Sequence, residues 1–126
     1  MAPELFEEGA THSTASDLWA AGCVLYECLT GQPPFVKRTL AQLMGAILHE
    51  QHGPLEGVSP ELCDLVGRML DKNPATRITW AVGGGLRMCL DVVIHVIHDV
   101  PSNPHALFIM CFCTYITLYV HHGTFN

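Results

Sequence analysis

The side chains able to do chemistry fall into a few small groups. His95 and His98 are spaced i, i+3 beside Asp99, and Cys111-x-Cys113 is followed by His121-His122. Imidazole and thiolate are the common zinc ligands, so either group could offer a metal face. Neither spacing matches a standard zinc pattern, and both groups read as incidental residues of an apolar tail. Glu7-Glu8 and Asp64 read as solvated carboxylates. Cys23 and Cys28 lie in an apolar run and read as packed thiols rather than redox centres. On the residues alone, no catalytic, cofactor-binding or metal-binding set is predicted.

The elements that would carry these residues are helical in the first two thirds of the chain. Over 13–31, Ser13, Thr14 and Ser16 offer capping oxygens, and Asp17 puts negative charge in the first turn. Leu18 to Leu29 is apolar around most of its circumference, the pattern of a helix buried on all sides. Gly31 can end it in a left-handed conformation, and Pro33-Pro34 forbid continuation. Over 39–50, Leu40, Leu43, Met44, Ile47 and Leu48 recur at helical spacing after Thr39. Over 59–71, Ser59 and Pro60 start a helix whose stripe is Leu62, Leu65, Val66, Met69 and Leu70, with Asn73-Pro74 ending it. No strand alternation occurs before residue 80, so the class expected is mainly α.

Composition divides the chain again. The formal charge is −6 over 126 residues, and the longest basic run is Lys37-Arg38, which excludes a nucleic-acid footprint. After residue 80 only Arg87, Asp91 and Asp99 are charged, and Gly83-Gly84-Gly85 breaks any regular element. We therefore expect a helical part over 1–80 and a divergent hydrophobic tail over 81–126. The run 106–120 is uncharged, apolar and rich in β-branched and aromatic residues. It reads as a strand pair, a buried helix, an exposed sticky segment or a membrane contact. It is shorter than the roughly 17–25 residues of a membrane helix, so the membrane is the lesser alternative. The six cysteines, with no secretory signal before them, read as reduced thiols of a cytoplasmic protein.

Four pieces of the helical part, taken in order, resemble one family. Met1-Ala2-Pro3-Glu4 looks like the end of a protein kinase activation segment. Asp17-Leu18-Trp19-Ala20-Ala21-Gly22 is similar to the D-x-W-x-x-G signature of the central helix in the C-terminal lobe, the C-lobe. Gly31-Gln32-Pro33-Pro34-Phe35 continues the likeness, and Leu70-Asp71-Lys72-Asn73-Pro74 with Arg77-Ile78-Thr79 closes it. The wording most resembles serine/threonine kinases of the Fused-like branch, including the plant RUNKEL type. Some members of that branch look like pseudokinases. Autophagy-initiating and Nek kinases are close competitors.

The resemblance implies a partial kinase C-lobe with structural roles for Glu4, Arg77, Asp17, Trp19 and Gly22. In the family, the glutamate at the Glu4 position pairs with the arginine at the Arg77 position. The aspartate at the Asp17 position accepts hydrogen bonds from a catalytic loop that this sequence does not contain. It also implies a parent that moves the ATP γ-phosphoryl group to protein Ser/Thr with MgATP. Phosphoryl transfer needs G-x-G-x-x-G, V-A-I-K, H-R-D and D-F-G, and none of these occurs here. The expectation is therefore a chain inactive alone, with a protein substrate or regulatory protein as partner and no nucleic acid. Both ends read as interrupted: the family carries Met-Ala-Pro-Glu inside its chains and continues into a last helix where Ala81 to Gly85 stands here. The expectation is a splice variant, intron read-through or an incomplete gene model.

Overall fold

The structure, a computed structural model, describes residues 1–79, one of the two units into which the chain divides. A 3-10 turn at Pro3–Phe6 is followed by three helices: α1 (Thr14–Thr30), α2 (Leu40–His49) and α3 (Pro60–Met69). There is no strand among the described residues. This is the mainly helical class expected, and the three helices match the expected segments to within a residue or two at each end.

Local chemistry sets the boundaries. Ser13 and Ser16 form a reciprocal cap at the start of α1. The Ser13 backbone N–H donates to Ser16 Oγ at 2.8 Å, and the Ser16 N–H donates to Ser13 Oγ at 3.3 Å. At the other end Gly31 takes φ +80°, and its N–H reaches the Glu27 carbonyl at 2.7 Å. Thr39 and Ser59 cap α2 and α3 by accepting from the N–H groups of Gln42 and Leu62.

Helix α3 stops two residues short of its expected end. Asn73-Pro74 does not end it; the turn that follows does. The Asp71 carboxylate accepts from the Asn73 N–H at 3.0 Å, and Arg77 takes the Asp71 carbonyl. These local bonds replace the ones that would extend the helix.

Helix α1 is the centre of the unit, although its burial is not uniform. Leu18, Trp19, Ala21, Gly22, Leu25, Tyr26 and Cys28 are buried, while Asp17, Ala20 and Glu27 are exposed. It packs on α3, whose buried residues are Leu62, Val66 and Met69. Gly22 sits at the closest approach: a Cβ there would lie 2.8 Å from Met69 Cβ and 3.0 Å from Leu70 Cδ2. Helix α2 meets the Pro3–Phe6 turn. Its expected stripe is only partly used, because Ala46 and Ile47 are buried while Leu40 is 73% exposed and Leu48 is also exposed. Periodicity identified the helix; it could not say how much of the apolar face a neighbour covers.

Candidate functional site

The densest polar chemistry of the unit gathers around Arg77, a residue from the loop after α3 whose side chain is fully buried. Its guanidinium grips Glu4 with both forks. Nη1 donates to Glu4 Oε1 at 2.7 Å and Nη2 to Oε2 at 2.9 Å. The remaining donors go to backbone: Nε to the Asp71 carbonyl at 2.8 Å, Nη1 also to the Ala15 carbonyl at 2.7 Å, and Nη2 to the Lys72 carbonyl at 3.5 Å. A planar fork with fixed donors suits such a convergence, and lysine could not reproduce it. One side chain thus ties the N-terminal turn, the first turn of α1 and the loop after α3. The Arg77 guanidinium holds the Glu4 carboxyl below the ordinary carboxylate range, while burial pulls more weakly the other way.

Trp19 forms the floor of this cluster and is almost wholly buried. The Arg77 guanidinium carbon lies 5.1 Å from the ring centre. Phe35 stacks parallel to the indole, with centroids 6.1 Å apart and planes 3° apart. Lys72 completes the group, its ammonium 4.6 Å from the Phe35 ring centre and 5.6 Å from that of Trp19. Cations over ring faces are held by the ring quadrupole, more strongly where water is excluded.

Of the residues singled out in the sequence, Glu4, Arg77 and Trp19 come together in this cluster, while Gly22 serves the α1–α3 contact. Asp17 stands apart: it is exposed on the first turn of α1 and makes no ion pair among the described residues. Sequence reasoning passed over Lys72 and Phe35 as members. Lys72 entered only as part of a kinase-like motif, and nothing in its spacing signals the stacked rings beside it. The one usable hint is a lysine in a tight Asp-x-Asn-Pro turn directly after an apolar stripe.

No group of three or more metal-ligating side chains exists among the described residues. The two groups weighed as metal faces, and the run 106–120, lie outside the described residues. No described helix is long and apolar enough to cross a membrane. Among the described residues Cys23 is the most perturbed thiol: burial pushes its pKa up to about 11, against the smaller pull of nearby positive charges. Burial raises Cys28 as well. Both remain protonated near neutral pH, which is the opposite of what a reactive cysteine needs.

Comparison with known proteins places this arrangement. The protein kinase domain model matches residues 1–87. The chain belongs to the protein kinase domain family, and its described helices form part of the C-lobe. Serine/threonine-protein kinase RUNKEL of Arabidopsis thaliana is 55% identical over 82 residues, covering 64% of this chain and 6% of that protein. Serine/threonine-protein kinase 36 of Pongo abelii is 39% identical over 80 residues, covering 64% and 6%. Serine/threonine-protein kinase fused of Drosophila melanogaster is 35% identical over 80 residues, covering 64% and 10%. The chain therefore spans a tenth or less of the length of these relatives. The Fused-like resemblance is sustained, and members of the family generally use MgATP and act on protein substrates.

Proposed function

We propose that residues 1–79 act as the structural base of a serine/threonine kinase C-lobe and that this chain, taken alone, neither binds MgATP nor transfers phosphate. The observation that carries this reading is the Arg77 clasp. It joins the N-terminal turn to the end of the helical unit through a bidentate ion pair and backbone acceptors, so that none of the Arg77 donors is left to face a nucleotide. Electrostatic positioning is nearly the whole mechanism of phosphoryl transfer. A chain without the phosphate-covering glycines, the lysine, the catalytic aspartate and the magnesium ligands has no means to perform it. The parent activity, transfer of the ATP γ-phosphoryl group to protein Ser/Thr, is proposed for the longer proteins this segment resembles. Calorimetric titration of the 126-residue chain with MgATP tests the claim. No saturable heat is expected, and saturable magnesium-dependent binding would refute it.

The setting we propose is cytoplasmic, and the partner a protein, either substrate or regulator. Support for a protein partner comes from the exposed Leu40 at the start of α2 and from Val36 just before it. Large apolar side chains left in water favour contact with another protein. Leu40→Glu should reduce capture of a kinase-derived or regulatory partner in a defined pull-down by tenfold or so if a central anchor is lost. Equal capture of both forms argues against this face.

A further inference from the structure

The cation missed in the sequence, Lys72, touches three separate pieces of chain. Its ammonium lies over Phe35 in the segment between α1 and α2, and beside Trp19 of α1. It also donates to the Ile47 carbonyl at 2.6 Å. That carbonyl belongs to the last turn of α2, where backbone acceptors have no partner within the helix and the dipole end is negative.

We propose that Lys72 is a latch that sets whether α2 lies docked or lifted from the rest of the helical unit. Three observations point the same way. First, the docked footprint of α2 is small: Ala46 and Ile47 are its only buried residues, and the first turn, Leu40 to Gln42, is exposed. Second, the other polar tie at the C-terminal end, Lys37 Nζ to Glu50 at 2.7 Å, is partly solvated on both sides and therefore weak. The Lys72 bond is part-buried beside the Phe35 and Trp19 rings. Third, holding the ammonium in this place has a cost: burial lowers the Lys72 pKa from its ordinary value, with Glu50 pulling more weakly the other way. A helix held by a small footprint and one charged bond opens more readily than the α1–α3 core.

Hydrogen–deuterium exchange on the full 126-residue chain separates this latch from a merely structural contact. Lys72→Met keeps most of the apolar stem and removes the charge and the donor. Exchange across residues 40–50 should then speed up about tenfold or more, as loss of a charged hydrogen bond implies, while residues 60–70 keep their protection. Lys37→Met should change the same α2 peptides by less than about threefold. Three results overturn the proposal: α2 exchange unchanged in Lys72→Met, α2 and α3 accelerated together, or an equal effect from Lys37→Met. Absence of α2 protection in the unsubstituted chain also overturns it.

Discussion

The Glu4–Arg77 pair is unequal. Arg77 is sealed from water, whereas the Glu4 side chain keeps 18% of its exposure. Removing the guanidinium deprives the Asp71 and Ala15 carbonyls of a donor as well as freeing Glu4. Removing the carboxylate leaves a buried cation that still holds its backbone acceptors. Breaking a buried pair costs about 3–5 kcal/mol, and the partial exposure of Glu4 puts its own loss toward or below the lower end. The pH dependence follows from the depressed Glu4 pKa. Its contribution is complete above the ordinary value of 4.5 and disappears as pH falls through the lower folded value. Urea midpoints measured between pH 6 and pH 3 should therefore drop more steeply for the native chain than for Glu4→Gln. Parallel slopes would mean that the carboxylate is not held by Arg77 in solution.

At the scale of elements, the α1–α3 contact depends on the absence of a side chain at Gly22. A methyl there meets Met69 Cβ, an atom fixed to the α3 backbone that cannot swing aside. Overpacking of this kind costs about 1–3 kcal/mol, against a helix-propensity gain of about 1 kcal/mol. Gly67 in α3 is the control, because a Cβ there meets nothing within 4 Å. Gly22→Ala should lower the melting temperature and Gly67→Ala should raise it slightly. Two shifts of the same sign would contradict the close approach.

The helices themselves were legible because their signals are local: Ser13, Thr39 and Ser59 cap, Gly31 terminates, and apolar residues recur at helical spacing. The 3-10 turn at Pro3–Phe6 was not legible, since four residues carry no periodicity. Nor was the early end of α3, which depends on Arg77 reaching back to the Asp71 carbonyl. The exposure of Leu40 escaped too, because an amphipathic pattern specifies a face without naming its cover.

Over the whole described unit, the fold rests on contacts between residues far apart in sequence. Glu4 reaches Arg77 across 73 positions, Trp19 meets Phe35, and Lys72 reaches back to Ile47. The likeness to kinases made the first of these an expectation; composition and spacing alone would not have paired residue 4 with residue 77. The Trp19–Phe35–Lys72 arrangement left almost no sequence signal, because a cation beside a stacked ring pair leaves no periodic trace. The unit is thus closed by long-range contacts, with α1 between its two ends. A double-mutant cycle on the full chain tests that closure most directly, comparing Glu4→Ala, Arg77→Met and the double variant by urea unfolding. The account predicts a coupling free energy of about 1–3 kcal/mol between the two sites. Additivity to within about 0.5 kcal/mol would show the two groups to be independent and would contradict it.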